Sequence, residues 1–129
     1  VSVIPVSVGN PHAVIFVDDI EKAPLYTLGP KIEHHKEFKD GVNVEFVEVK
    51  STDKLRMRVW ERGSGVTLAC GTGACAAVSA AISTKKSNYG ETVSVLLDGG
   101  TLKIEISPDN TVEMTGPAEF IYEGETEIC

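Results

Sequence analysis

The sequence predicts an α+β fold in which a curled, mostly antiparallel sheet of about eight strands surrounds one central, buried helix. The first observation is a series of short segments that alternate apolar and polar residues with period two, as half-buried strands do. The second observation is the segment 71–83, where small and apolar side chains lie on every side of a helix instead of forming one stripe. That pattern is typical of a buried helix.

Eight segments carry the strand pattern, and the turns between the later ones are well marked. Asp98-Gly99-Gly100 joins two runs at hairpin spacing, residues 108–110 join the next two, and Gly116-Pro117 precede the last. The C-terminal third is therefore predicted to be a meander. The predicted strands are residues 1–8, 13–17, 42–49, 55–60, 92–97, 101–106, 111–115 and 119–122.

Residues 18–38 carry helix signals instead of strand signals. Asp18 or Asp19 is a candidate N-cap, Gly29 a candidate stop, and Pro30 is placed to open a second short helix. We expect two short surface helices here.

Length and composition favour one soluble domain covering residues 1–129, with no metal needed to hold it. The net charge is −7 and the 12 Lys and Arg residues form no basic stripe, which argues against nucleic-acid binding. No apolar stretch approaches the roughly 18 residues of a membrane helix, and the first residues resemble a strand more than a signal peptide. Three cysteines without zinc-ligand spacing favour a reduced, cytoplasmic setting. The neighbouring His34 and His35 point in different directions on a predicted helix, which argues against a metal site there.

The segment 60–75 combines a strand end, a glycine-rich loop and the start of the buried helix. The first amides of a helix have no partner within it, and the helix dipole adds roughly half a positive charge at that end. A carboxylate or thiolate is therefore favoured beside Gly71 and Thr72. The segment lacks the Lys-Ser/Thr of a P-loop, so a nucleotide phosphate is disfavoured.

Cys70 directly precedes the helix start, where the pKa of a thiol can fall from about 8.5 to roughly 3.5–7.5. It is a candidate base or nucleophile, and the alternative is a small buried apolar residue. Cys75 is predicted to be structural, because side chains five residues apart on a helix diverge by about 140°. No role is assigned to Cys129.

Five polar residues near predicted strand ends are further candidates for the site. Glu61 and Arg62 enter the glycine-rich loop and form either part of a site or a solvated ion pair. Asn10 and His12 lie between two strands, in a turn or in a site loop. Asn43 is the first residue of an apolar strand, and it is either part of a site or an ordinary turn residue.

Six motifs in order and spacing resemble the C-terminal domain of the diaminopimelate epimerase family over nearly the whole chain. Each motif is modestly specific and the set is strongly so, whereas the Cys-Gly-Thr-Gly of residues 70–73 alone also suits proline racemases. The motifs are residues 9–17, 28–30, 43–46, 58–63, 69–76 and 114–120.

The resemblance implies an enzyme of two similar domains, of which this chain is the C-terminal half and lacks the N-terminal one. A cysteine from each domain would face opposite sides of the substrate α-carbon. One thiolate removes the α-proton and the other thiol returns one, so LL- and meso-diaminopimelate interconvert without pyridoxal phosphate or another cofactor. This reaction belongs to lysine and peptidoglycan precursor biosynthesis in the cytoplasm, and a homodimer is compatible with it.

The resemblance also implies roles for individual residues. Cys70 matches the C-terminal cysteine of the pair, Glu61 partners it, and His12 assists the cysteine of the missing domain. The amides of Gly71 and Thr72 would hold the carboxylate of the reacting centre. The residues implied to hold the polar ends of the substrate are Asn10, Asn43, Glu61 and Arg62.

Two alternatives stay open: a proline or hydroxyproline racemase-like enzyme, and a non-catalytic carboxylate-binding domain. Arg62 and Asn43 favour a substrate with a second charged end, because a proline ring needs an apolar pocket. Lys36 stands where family members often carry Pro, a departure that concerns a surface turn. Since half of the site would be missing, the isolated chain is predicted to have negligible epimerase activity.

Overall fold

The computed structural model describes residues 3–7, 11–36, 41–61, 65–67, 71–98, 100–115 and 120–123. A 3-10 helix, Ile20–Lys22, precedes the helices α1 (Leu25–Glu33) and α2 (Gly71–Ser83). The strands are β1 (Ile4–Ser7), β2 (Pro11–Phe16), β3 (Asn43–Ser51), β4 (Lys54–Glu61), β5 (Gly65–Thr67), β6 (Val93–Leu97), β7 (Gly100–Ile106), β8 (Val112–Thr115) and β9 (Phe120–Glu123).

The nine strands of the described ranges form one mixed sheet that curls around α2. The order is β1-β2-β3-β4-β6-β7-β8-β9, with β5 paired to β4. Within the described ranges β2/β3 and β4/β6 pair in parallel, and the remaining pairs are antiparallel. Helix α2 packs against both β1 and β7, which lie far apart in that order. The predicted α+β fold, with a mostly antiparallel sheet around a buried helix, is confirmed.

The all-round apolar surface of α2 explains why the sheet curls. Ten of its 13 residues are buried, from Thr72 to Ile82, so the helix has no solvent-facing stripe along most of its length. Burying apolar surface is the main driving force for this packing, at about 25 cal/mol per Å². None of the helices in the described ranges is both long and apolar enough to cross a membrane.

The central strand β3 is covered on both faces, and the two faces have different partners. Val47 belongs to the cluster that packs around α2, together with Val59 on β4. Val44 and Phe46 belong to a second cluster that includes Leu25 of α1. Side chains of a strand alternate between its faces, so successive residues of β3 contribute to different cores.

The region of residues 18–38 differs from its prediction. Helix α1 runs through Gly29 and Pro30, so the predicted stop at Gly29 and the second helix opened by Pro30 are both wrong. Gly29 is buried, and a Cβ on it would lie 2.6 Å from Cγ of Trp60, so glycine is required there for close packing and not as a terminator. Asp19 is a cap as predicted, but of the 3-10 helix, where its side chain accepts a hydrogen bond from the Glu21 amide at 3.0 Å.

Strand β5 was not predicted, because three residues in a glycine-rich loop are too short to show alternation. The meander of β6 to β9 is confirmed. Leu97 pairs with Gly100 across the first hairpin, and Asn110, with φ of 69°, turns the chain between β7 and β8. The predicted turn at Gly116-Pro117 lies outside the described residues.

An ion cluster links β4 to the end of β6. Asp98 binds Arg56 through one carboxylate oxygen, and its other oxygen accepts a hydrogen bond from Nε of Arg58 at 3.0 Å. Partial burial raises the pKa of Asp98, but the hydrogen bonds and charges of the two arginines outweigh it, so the pKa is lowered overall.

The substitution Asp98→Asn is expected to lower the free energy of unfolding by about 0.5–1 kcal/mol near pH 7, the usual value of a partly exposed ion pair. Since the folded-state pKa is depressed, the stabilisation is present above the unfolded-state pKa of about 3.9 and is lost as pH falls through the folded-state value. Urea unfolding of both proteins at several pH values measures the difference. If the difference in unfolding free energy between the two proteins stays constant down to the lowest pH, the stabilisation does not come from the ionised carboxylate of Asp98.

Candidate functional site

Three strand termini meet at one edge of the sheet. Strands β2 and β3 are parallel and both begin there, while β4 is antiparallel to β3 and ends there. His12 pairs with Asn43, and the next residue, Val44, pairs with Trp60. Glu61, the last residue of β4, therefore reaches the same edge, although its side chain lies outside the described part. The topology thus gathers the predicted residues His12, Asn43 and Glu61.

A buried hydrogen bond joins the first two of these strands. Nδ1 of His12 lies 2.8 Å from Oε2 of Glu45, and both side chains have 0% relative exposure. Two further polar residues are also buried: Asn43, at the start of β3, has 4% exposure, and Thr72, in the first turn of α2, has 0% exposure. Buried polar groups require hydrogen-bond partners.

The polar pair faces α2. Glu45 pairs with Val14 on one side and Val59 on the other, and both valines belong to the cluster around α2. Laterally paired residues share a face of the sheet, and so do residues two apart on a strand. His12, two residues before Val14, therefore lies on the α2 face with Glu45.

Helix α2 borders a cavity next to β1. The cavity, of about 270 Å³, is lined by Val6 and Ser7 of β1, by Cys75 and Ser79 of α2, and by Ile106, Asn110 and Val112 at the β7–β8 turn. Val6 pairs with His12, so the first turns of α2 and the start of β2 are near each other. Gly71 and Thr72, the first residues of α2, precede Cys75 by about one helical turn.

The remaining predicted site residues, Cys70, Asn10 and Arg62, lie outside the described residues. In the sequence, Cys70 precedes Gly71, Asn10 precedes Pro11, and Arg62 follows Glu61. Their roles stay predictions.

Cys75 is structural, as the sequence predicts. Its exposure is 2%, and burial raises the pKa of its thiol from 9.0 to about 12. The thiolate is the reactive form of cysteine, so this thiol is unsuited to chemistry near neutral pH.

Iodoacetamide is therefore expected to modify Cys75 at least about 10²-fold more slowly in the native protein than in urea, because burial both lowers the thiolate fraction and blocks the reagent. Peptide mass spectrometry over time measures the two rates. Comparable rates with and without urea would show that the helix opens or that the thiol is ionised in the folded state.

Among the described residues, no group of three or more His, Cys, Asp and Glu side chains is arranged to hold a metal ion. His34 is the C-cap of α1, with a side chain 75% exposed. Its Nε2 lies 3.7 Å from a carboxylate oxygen of Glu33.

Glu45 was missed as a functional candidate by the sequence reasoning. Its strand carries apolar residues on both faces, so alternation does not reveal which face a charged residue occupies. The one available signal was a carboxylate in the middle of a strand that is otherwise mainly apolar. Only the register with β2 brings it to His12.

These features define a class: an α+β domain whose sheet curls around a buried helix and carries a buried imidazole–carboxylate pair at one edge. Two solved structures of the phenazine biosynthesis protein PhzF family share this fold. The protein from Enterococcus faecalis matches with a TM-score of 0.58 and 16% identity, covering 81% of this chain and 36% of that one. The Bacillus anthracis protein matches with a TM-score of 0.56 and 17% identity, covering 83% and 34%.

The chain belongs to the diaminopimelate epimerase family, whose model matches residues 4–121. Diaminopimelate epimerase of Bacillus cereus (strain B4264) is 60% identical over 119 residues, or 92% of this chain and 41% of the relative. The Oceanobacillus iheyensis enzyme is also 60% identical over 119 residues, with 42% of its length covered. The chain thus spans about two-fifths of the length of these relatives, and its predicted family is confirmed.

Proposed function

We propose that this chain is the C-terminal half of a diaminopimelate epimerase, which interconverts LL- and meso-diaminopimelate by proton transfer between two thiols. The observation that carries the proposal is the meeting of His12, Asn43 and Glu61 at one edge of a sheet in a chain of this family. The reaction would serve lysine and peptidoglycan precursor biosynthesis in the cytoplasm, and the complete protein could act as a homodimer.

Cys70 is one of the two thiols in this proposal. It immediately precedes α2, whose N-terminal dipole favours a thiolate over a thiol. Glu61 is its partner, placed at the end of β4. The second thiol comes from the N-terminal domain and approaches the opposite face of the α-carbon, with His12 as its proton partner.

The substrate carboxylate of the reacting centre binds the amides of Gly71 and Thr72. An amino-acid α-proton is weakly acidic, so the carbanion needs stabilisation that exists before the proton leaves. Amides at a helix start can supply it, because they point towards the bound anion and need no reorganisation during the reaction. Asn10, Asn43, Glu61 and Arg62 hold the other polar groups of the substrate.

The test is interconversion of the two diaminopimelate isomers by this chain alone, and by this chain mixed with the N-terminal domain of the Bacillus cereus relative. Interconversion only in the mixture supports the proposal, since each domain contributes one thiol. Proline is offered in parallel, and racemisation of proline instead of diaminopimelate would favour the racemase alternative. If the folded, associated mixture binds diaminopimelate but converts neither substrate, the chain is a carboxylate-binding domain.

A further inference from the structure

The His12–Glu45 pair contains a carboxylate to which no role has been assigned so far. Nδ1 of His12 and Oε2 of Glu45 are 2.8 Å apart, and the two residues are 33 positions apart in the chain. Both side chains have 0% exposure, so the bond forms without competition from water. The contact therefore depends on the parallel pairing of β2 with β3 and not on local sequence.

We propose that Glu45 is a positioning residue that acts through His12, an inference that rests on the proposed function. In this proposal Glu45 is ionised and can only accept a hydrogen bond, so Nδ1 of His12 carries the proton. Nε2, on the opposite side of the ring, is then the nitrogen that takes a proton from the thiol. When the S–H proton moves to Nε2, a thiolate and an imidazolium form, and Glu45 balances the new positive charge.

The surroundings of the pair favour a functional reason for its presence. The same face of the sheet is otherwise lined by residues such as Val14, Val47 and Met57, which pack against α2. A buried carboxylate beside an imidazole contributes little to stability in comparison with apolar residues of similar volume, because the cost of desolvating the carboxylate offsets the attraction. The presence of a carboxylate at this position is better explained by proton transfer at His12, because the carboxylate stabilises the imidazolium that forms.

The two strands also make the pair rigid. Five consecutive residue pairs join β2 to β3, from His12–Asn43 to Phe16–Val47. Glu45 is flanked in register by Val14 and Val59, both fully buried. A proton acceptor on a rigid support keeps its orientation when the substrate enters, which is a requirement for efficient proton transfer.

The principal test is Glu45→Gln in the complete two-domain enzyme, since glutamine has the same size but no charge. We expect kcat to fall on the order of 10²-fold while KM changes little, because the substrate is not contacted by Glu45.

The matched control is Glu33→Gln. Glu33 is also a buried carboxylate with an aromatic partner, accepting a hydrogen bond from Nε1 of Trp60 at 2.8 Å, but it belongs to α1 on the other face. The kcat of the Glu33→Gln variant should stay within about twofold of the wild-type value.

A double-mutant cycle separates positioning from a general structural role. If Glu45 acts through His12, then adding Glu45→Gln to His12→Gln should reduce kcat no further. A second loss as large as the first would overturn the proposal, and so would an unchanged kcat in a folded Glu45→Gln enzyme.

A measurement independent of activity keeps the inference apart from the proposed function. Imidazole ¹⁵N shifts report which ring nitrogen of His12 carries the proton, with the His12→Gln variant identifying the signal. We expect Nδ1 to be protonated in the wild type and the Nδ1 signal to shift in Glu45→Gln. An Nδ1 without a proton in the wild type refutes the inference, whereas an inactive wild-type enzyme with a protonated Nδ1 refutes only the proposed function.

Discussion

Replacing Cys70 by alanine in the complete enzyme is expected to reduce the interconversion of LL- and meso-diaminopimelate by at least about 10²–10⁴-fold in both directions. Each direction needs one group to remove the α-proton and another to supply one on the opposite face. Loss of either thiol therefore blocks the interconversion in both directions. Chiral chromatography of the two isomers over time measures the rates.

The same variant should treat the two isomers differently in heavy water. The remaining thiol, from the N-terminal domain, still faces the α-proton of one isomer and can exchange it with retention of configuration. We expect deuterium incorporation to persist for that isomer and to disappear for the other. Cys75→Ala is the matched control, because this second cysteine of the segment is buried in α2 and has a pKa of about 12. Exchange of both isomers at wild-type rates by Cys70→Ala would exclude Cys70 as a base.

Local sequence signals predicted the parts of the fold that are determined locally. The apolar residues all around α2 predicted its burial, and the turn at Asp98 predicted the β6/β7 hairpin. Both depend on residues close together in the chain, so pattern and structure agree.

The parts that were missed depend on contacts between distant residues. Glycine is a weak helix former and so Gly29 was predicted to end a helix, but it lies inside α1, where Trp60 of β4 leaves no room for a Cβ. Likewise His12 was selected by its motif, whereas Glu45 becomes visible only when β2 and β3 pair. The sequence thus indicated His12 but not the buried carboxylate that contacts it.

Gly29→Ala tests this packing and is expected to lower the free energy of unfolding by about 1–3 kcal/mol, the usual cost of overpacking. In an exposed helix the same change would stabilise by up to about 1 kcal/mol, so the sign of the effect is diagnostic. The added Cβ would lie 2.6 to 2.9 Å from Cγ, Cδ2 and Cβ of Trp60. These atoms are near the backbone of β4, so the ring cannot avoid the contact by rotating its far end.

Two other contacts hold the ring in place. Its Nε1 donates to Glu33 at 2.8 Å, and Tyr26 packs edge-on against it with ring centroids 6.1 Å apart. Trp60 is the one tryptophan of the sequence, so its fluorescence reports directly on the strain. We expect Gly29→Ala to shift the emission and lower the urea midpoint together. Trp60→Ala, which removes Cγ and Cδ2, should relieve much of the penalty in a double-mutant cycle followed by circular dichroism. An additive double mutant would mean that the helix, and not the tryptophan contact, requires the glycine.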